Sequence, residues 1–125
     1  MEFLESKQVP PAVGPYSHGT RFGNIIFTAG QIPEDPTTGK MITDVSAATR
    51  LVLENLLSVV EAGGGSKETV AKVDVFLKDL KDFDAFNRAY IEFFGSHRPA
   101  RVLVQAGDLA EDAILEAAMI AFVNA

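Results

Sequence analysis

The sequence predicts an α+β domain in which one mixed β-sheet carries two helices on one face, with the element order ββαβαββ. Three patterns predict it: a hairpin signal in the N-terminal third, two amphipathic helix patterns separated by a strand pattern, and two strand patterns near the C-terminus. Strand, helix and strand in succession form a crossover unit, which makes part of the sheet parallel. A length of 125 residues fits one domain, spanning residues 1–125.

The hairpin consists of two short strand-like runs, 20–22 and 25–29, on either side of the two-residue turn Gly23-Asn24. Pro33 ends the second strand, because proline has no amide proton to donate to the sheet. The segment before the hairpin is predicted to be an irregular arm, because four turn-forming residues interrupt it: Pro10, Pro11, Gly14 and Pro15.

The first helix is predicted to begin after Asp44, whose side chain can cap it, and to end at Gly63. Its inner face repeats apolar residues at helical spacing: Val45, Ala48, Val52, Leu56 and Val59. Alternation over 71–77 then predicts a strand. The second helix has an aromatic inner stripe: Phe83, Phe86, Tyr90 and Phe93. Two strands, approximately 101–106 and 113–123, close the chain.

The last strand pattern is apolar on both of its faces. One face carries Leu115, Ala117, Met119, Ala121 and Val123, and the other carries Ile114, Glu116, Ala118, Ile120 and Phe122. Two helices cover only one face of a sheet, so the second apolar face needs its own explanation. Either a flanking loop and small exposed side chains account for it, or it is a subunit interface; we favour the interface.

Composition excludes several classes of function. A net charge of -6 without a cluster of Lys and Arg argues against nucleic-acid binding, and the absence of cysteine excludes disulfides, zinc–thiolate sites and thiol nucleophiles. The first five residues are acidic and lack the apolar core of a secretory signal, and no stretch of about 18 apolar residues is present to span a membrane. We therefore expect a soluble, cytoplasmic domain.

Two charged positions could carry chemistry. Glu116 lies within an apolar strand, where an unpaired carboxylate is so costly that it finds a partner or stays protonated. A strand-edge position or a structural hydrogen bond explains this residue equally well. Arg101 opens the penultimate strand, where it is either solvated or holds a substrate carboxylate through two parallel hydrogen bonds. The sequence does not show whether the two side chains meet.

Other polar residues give weaker signals. Tyr16 lies on the irregular arm, where an anchoring role is the simpler interpretation, and Asn87 lies in the middle of the second helix, where most asparagines are solvated. His18 and His97 are isolated and lack metal-ligand spacing, so we expect structural or exposed histidines. No phosphate loop, catalytic triad or glycosidase-like carboxylate pair is present.

Taken in order, several segments resemble the reactive-intermediate deaminase family, also called the RidA/YjgF family. The matching segments are Gly14-Pro15-Tyr16-Ser17, Gly23-Asn24, Thr28-Ala29-Gly30-Gln31-Ile32-Pro33, Phe76-Leu77-Lys78-Asp79-Leu80, Phe83 with Asn87, Pro99-Ala100-Arg101, Gly107 with Leu109, and Leu115-Glu116. They run from Pro10 to the end of the chain, and although each is weak alone, the ordered set is specific.

The resemblance implies a chorismate-mutase-like fold assembled as a homotrimer with three clefts between subunits. It also implies hydrolysis of 2-aminoacrylate, 2-iminobutanoate and related 2-imino acids to 2-oxo acids and ammonia. Such compounds are reactive by-products of pyridoxal-phosphate enzymes. The family needs no cofactor and no metal. Positioning, a proton relay and one attacking water suffice, because an imine carbon is already electrophilic.

The resemblance also assigns roles to residues. Arg101 matches the arginine that binds the substrate carboxylate, Glu116 matches the carboxylate that activates water and relays protons, and Tyr16 matches the tyrosine of the cleft. Four further positions are counted as substrate-binding: Ser17, Gly30, Asn87 and Leu103. Many members carry cysteine where this chain has Leu103, so we expect retained activity with altered substrate preference. Ala117 replaces a residue that is usually larger.

Two other functions remain open. A non-catalytic module could use the same clefts to bind small carboxylic acids, with Arg101 required and Glu116 dispensable. Some animal relatives are reported to act on RNA, but the acidic balance of this chain argues against a nuclease.

Overall fold

The computed structural model describes residues 1–124 and contains one six-stranded mixed sheet with two helices against one face. The strands are β1 (Glu2–Leu4), β2 (Gly19–Phe22), β3 (Ile25–Thr28), β4 (Val70–Leu77), β5 (Ala100–Gln105) and β6 (Leu115–Phe122), and the helices are α1 (Val45–Ala62) and α2 (Phe83–Phe94). The strand order is β1-β2-β3-β6-β4-β5. The β4–β5 pair is parallel, and the other four pairs of the described sheet are antiparallel. The α+β prediction is confirmed.

The N-terminus carries a strand that the sequence did not predict. β1 pairs with β2, with Glu2 opposite Arg21 and Leu4 opposite Gly19, so the element order is βββαβαββ. A run of three residues is too short to show a period, and Leu4 is drawn into the sheet because its side chain is buried in the core. The arm that follows β1 contains no helix or strand as far as residue 18, as predicted.

The first helix has the predicted ends. The Asp44 carboxylate accepts a hydrogen bond of 2.9 Å from the amide of Ala47, and Gly63 forms the C-cap. Two polar residues share its buried face. Thr49 donates to the carbonyl of Val45 at 2.7 Å, so its hydroxyl is satisfied inside the helix.

The second helix buries a different set of aromatic residues from the predicted stripe. Phe86, Tyr90 and Phe94 are buried, whereas Phe83 is 40% exposed and Phe93 is only partly buried. Positions 86, 90 and 94 follow one another at a spacing of four and lie on one side of the helix, with Phe83 and Phe93 on its flanks. The prediction was therefore right for Phe86 and Tyr90, right in part for Phe93, which packs against the edge of the core, and wrong for Phe83.

The last strand separates two unlike surfaces. Its odd-numbered residues are buried beneath the helices, and its even-numbered residues face the uncovered side of the sheet, where they are partly or largely exposed. That side, which we call the open face, carries seven exposed apolar side chains: Phe3, Phe22, Ile25, Phe27, Val102, Val104 and Phe122. The charged side chains of Lys72 and Asp74 on β4 share this face and interrupt its apolar surface. An exposed surface that is largely apolar is typical of an interaction site. Neither helix of the described chain combines the length and apolarity that crossing a membrane requires.

Candidate active site

A cavity of about 360 Å³ lies where the N-terminal arm passes the end of β3 and the start of β6. Apolar side chains and backbone form most of its wall, and three carboxylates face it. The lining residues are Pro10, Pro11, Ala12, Val13, Tyr16, His18, Ala29, Gly30, Gln31, Ile32, Glu34, Ala110, Glu111 and Glu116. A concave, largely apolar pocket with a few polar groups is the usual form of a small-molecule site.

The Glu116 carboxyl group lies against Gly30 in this cavity. A methyl group built on Gly30 would come within 3.1 Å of the Glu116 carboxyl carbon and would overlap one of its oxygens, so glycine at this position leaves room for the side chain in its present conformation. The chain just beyond β3 is fixed by Gln31, whose amide donates to the carbonyl of Ala117 at 2.9 Å and whose carbonyl accepts from Ala117 at 3.1 Å. These two bonds place Gly30 directly against the start of β6.

Burial raises the pKa of Glu116 above its ordinary value of 4.5. Glu34, at the rim of the same cavity, also has a raised pKa, first because of burial and then because the carboxyl group of Glu111 lies beside it. A carboxyl group with a raised pKa exchanges protons more readily near neutral pH, which suits a proton relay.

Arg101 lies at a second location, under α2. Its Nη1 donates a hydrogen bond of 2.8 Å to Oδ1 of Asn87. The guanidinium carbon is 4.9 Å from the ring centroid of Tyr90 and 5.8 Å from that of Phe86. Two aromatic rings and one amide thus fix the orientation of the guanidinium group. Burial raises the pKa of Tyr90, and the positive charge of Arg101 opposes that shift.

Leu103 follows Arg101 on the same side of β5. It is partly buried against the core and lines a shallow groove with Leu80 and Phe83. Asn87, Arg101 and Leu103 therefore share one surface, which we call the arginine half-site. Tyr16, Gly30 and Glu116 share the cavity, which we call the carboxylate half-site.

Strand register shows that the two half-sites face in opposite directions. Arg101 is paired with Val73 of β4, and Glu116 is paired with Phe76 of the same strand. Directly paired residues share a face, and positions 73 and 76 of one strand lie on opposite faces. Arg101 therefore points to the helix side of the sheet and Glu116 to the open side. The two side chains do not meet within one chain.

The positions still to be located are Ser17 and the two histidines. Ser17 is partly buried and is absent from the cavity wall, although its neighbours Tyr16 and His18 line it. The two histidines are structural, as expected. His97 Nε2 donates to the carbonyl of Val70 at 2.8 Å, and both ring nitrogens of His18 are engaged by the N-terminal arm.

Sequence reasoning missed several cavity residues. Gln31, Ile32 and Glu34 follow Gly30 directly, and that adjacency was the available signal. No feature of the sequence pointed to Glu111 as a cavity residue. It enters the wall because residues 111 and 112 both adopt left-handed backbone conformations, with φ of 54° and 57°, in the loop before β6. Such conformations are uncommon outside glycine and cluster at functional sites.

Fold and half-sites together define a small single-sheet α+β protein that carries a carboxylate cavity on one side and an oriented guanidinium group on the other. The sequence profile of the endoribonuclease L-PSP family matches residues 6–123. The chain therefore belongs to this family, which includes the reactive-intermediate deaminases of the RidA/YjgF type.

Three relatives illustrate the similarity. A RutC family protein of Pyrococcus abyssi is 43% identical over 97% of this chain and 96% of its own length. The 2-iminobutanoate/2-iminopropanoate deaminase of Salmonella typhimurium is 41% identical over 94% of both chains. The crystal structure of Escherichia coli TdcF with bound serine superposes with a TM-score of 0.95 at 39% identity, covering 99% of this chain and all of that one.

Proposed function

We propose that this protein hydrolyses reactive 2-imino acids and their enamine forms, such as 2-iminobutanoate and 2-aminoacrylate, to 2-oxo acids and ammonia. We further propose that it acts as a homotrimer in which each site combines the carboxylate half-site of one subunit with the arginine half-site of its neighbour. One observation carries the proposal. Arg101 is held by Asn87 and Glu116 lies against Gly30 in the cavity, yet the two side chains lie on opposite faces of one sheet.

The open face supports the assembly. Its exposed apolar side chains come from both edges and the middle of the sheet, so association through this face would remove a large apolar area from water. A closed ring of identical copies uses one patch against a different patch of the next copy. Such a ring can bring the arginine half-site of one subunit to the cavity of the next.

The arginine half-site suits a carboxylate ligand. A guanidinium group whose Nη1 is already held by Asn87 can direct its other N–H groups to the two oxygens of a carboxylate. The charge of a 2-imino acid substrate is thereby neutralised, and its C2 atom is held at a fixed distance from the arginine. The groove beside Leu103 is lined by Leu80 and Phe83 together with the charged residues Lys81 and Asp84, and its apolar part can accept a short aliphatic side chain.

The carboxylate half-site suits the hydrolytic step. Glu116 in its ionised form accepts a proton from water as the water oxygen bonds to C2, and the C=N π electrons move to nitrogen. The proton then passes from Glu116 to the nitrogen, which gives a neutral carbinolamine. Glu116 next takes the hydroxyl proton and returns it to the amino nitrogen as the C–N bond breaks, so a C=O group forms and ammonia leaves. One water is consumed for each ammonia released. In its protonated form Glu116 can also deliver a proton to C3 of an enamine.

The first test is a coupled assay. A pyridoxal-phosphate threonine dehydratase generates 2-iminobutanoate from threonine, and the appearance of 2-oxobutanoate is followed with and without this protein, with semicarbazide as a competing trap. We expect acceleration by the wild type and a loss of about 100-fold or more in kcat/KM for Arg101→Ala, because two charge-assisted hydrogen bonds are removed. Arg98→Ala is the matched control, since Arg98 is exposed and bonds only to backbone carbonyls. No acceleration by a folded wild type would refute the deaminase proposal.

The second test is subunit complementation. Arg101→Ala and Glu116→Gln are each expected to retain only a small residual activity, but mixed subunits can build an intact site from the unaltered half of each. Equal mixing of dissociated subunits is expected to restore about a quarter of the sites if each site uses two different copies. Activity that stays at the level of the separate variants would contradict shared sites.

The same variants separate catalysis from simple binding. A module that only binds small carboxylic acids needs Arg101 and not Glu116. Unchanged affinity for a 2-oxo acid in Glu116→Gln, together with no turnover by the wild type, would favour binding over catalysis.

A further inference from the structure

The segment from Pro10 to His18 supplies nearly half of the cavity wall, including Tyr16, yet it has few internal bonds. Three prolines remove amide donors from it, and a single backbone hydrogen bond lies within residues 10–17 of the described chain, from the amide of Tyr16 to the carbonyl of Gly14 at 2.9 Å. A loop with so little backbone support needs side-chain contacts to hold one conformation.

The His18 imidazole provides two such contacts. Its Nε2 lies 2.9 Å from the carbonyl oxygen of Pro10, and the amide of Ser6 donates to its Nδ1 at 3.0 Å. A carbonyl can only accept and an amide N–H can only donate, so the two bonds together require the neutral tautomer with its proton on Nε2. The side chain is buried, with 5% of its surface exposed. The carboxylate of Glu5 is 3.2 Å from Nδ1 but is largely in water.

The backbone of His18 is attached to the other side of the cavity. Its carbonyl accepts a hydrogen bond of 2.8 Å from the amide of Ala29, the residue that precedes Gly30. One residue thus joins three parts of the carboxylate half-site: the start of the arm at Ser6, the loop at Pro10, and the strand end beside Gly30.

We propose that His18 is a positioning residue that closes the loop of residues 10–18 over the cavity and thereby holds Tyr16 at the carboxylate half-site. The ring bond to Pro10 makes a closed loop of nine residues. Without it, the segment gains conformational freedom that must be lost again whenever Tyr16 contacts a ligand. The effect on turnover rests on the proposed deaminase function, and the effect on the arm does not.

The test compares three variants of the full chain. His18→Leu fills similar space and makes neither bond, whereas His18→Gln presents one acceptor and one donor at the spacing of the two ring nitrogens. His97→Leu is the control, because it removes a similar bond from a histidine ring to a backbone carbonyl away from the cavity. Hydrogen exchange of residues 5–16 is measured by mass spectrometry, and kcat and KM are measured in the coupled assay.

We expect amides of the arm to exchange about tenfold faster or more in His18→Leu, with partial recovery in His18→Gln and no change in His97→Leu. We expect kcat/KM to fall about tenfold in His18→Leu, mainly through a higher KM, because Glu116 and Gly30 stay in place.

Unchanged exchange of the arm in His18→Leu would overturn the proposal, and so would faster exchange that leaves kcat and KM at wild-type values. If His18→Leu does not fold, His18→Gln decides the question, because the proposal requires its exchange rates to lie above those of the wild type. A wild type without deaminase activity would refute the proposed function, while the exchange data would still decide whether His18 holds the arm.

Discussion

Asn87 accepts a hydrogen bond of 2.8 Å from Nη1 of Arg101, and the two residues belong to different layers, the helix α2 and the strand β5. The guanidinium group is therefore oriented before any ligand binds. Its plane is fixed further by the rings of Tyr90 and Phe86 beside it. Preorganised donors of this kind bind a carboxylate with little loss of side-chain freedom.

The hydrogen bond between Arg101 and Asn87 can be tested by replacing Asn87, which is the acceptor. Asn87→Ala frees the guanidinium, and we expect KM for 2-imino acids to rise about tenfold because one charge-assisted bond no longer orients it. Asn87→Asp places a carboxylate against Arg101 that competes with the substrate, so its KM should rise further. Arg88→Ala, an exposed neighbour on the same helix, is the control. Equal KM values in Asn87→Asp and the wild type would contradict this role for Asn87.

The contact between Gly30 and Glu116 predicts a non-additive pair of substitutions. Gly30→Ala places a methyl group against the Glu116 carboxyl group, and we expect a loss of about 1–3 kcal/mol in the free energy of unfolding. In a Glu116→Ala background the same substitution should cost much less, because the overlapping atoms are gone. Gly107→Ala is the control, since a methyl group there meets nothing within 4 Å. Urea denaturation measures all four differences, and strictly additive costs would argue against the contact.

The open face predicts an assembly that one charge can disrupt. Phe27→Glu places a carboxylate in the centre of the apolar surface, at a position that is already 43% exposed in the single chain. We expect the mass in solution to fall from three times the chain mass to the 13.4 kDa of one chain, with the circular dichroism of the fold retained and activity lost. Ile91→Glu, on a helix surface away from the sheet, is the control. A wild type that sediments as a single chain would refute the trimer.

The raised pKa of Glu116 predicts that this residue lowers the stability of the isolated folded chain at high pH and not at low pH. A carboxyl group whose pKa is raised on folding favours the folded state below its ordinary pKa of 4.5, and that contribution is lost as the pH rises through the raised value. In the Phe27→Glu background, Glu116→Gln should therefore unfold at a higher temperature than its parent at pH 8 and at the same temperature near pH 3. Glu61→Gln, an exposed glutamate on α1, is the control. A stability gain that is equal at both pH values would contradict burial of the charge as the cause.

The pH dependence of activity should follow the same group. The proposed hydrolytic step needs Glu116 ionised, so kcat/KM is expected to rise with pH through a pKa above 4.5 and then level off. This rise of kcat/KM with pH should be absent from the residual activity of Glu116→Gln. If kcat/KM rises with pH in the same way in the wild type and in Glu116→Gln, the rise belongs to another titrating group.

Sequence alone determined those parts of the fold that depend on local chemistry. Asp44 and Gly63 limit the first helix because N-capping and helix termination are properties of those residue types, and alternation over 71–77 predicts the strand that becomes β4. The unusual carboxylate of Glu116 and the doubly apolar last strand were also visible, since each violates the expected pattern of its element. Family motifs then supplied Tyr16, Gly30, Asn87 and Arg101.

Tertiary structure alone decided which of these residues come together. The pairing of β5 and β6 on either side of β4 fixes the register, and that register sends Arg101 and Glu116 to opposite faces. No local pattern encodes a pairing between segments far apart in the chain, because it results from burying the whole core at once. The same reason explains why β1, the two hydrogen bonds of the His18 ring and the entry of Glu111 into the cavity were not predictable from the residues themselves.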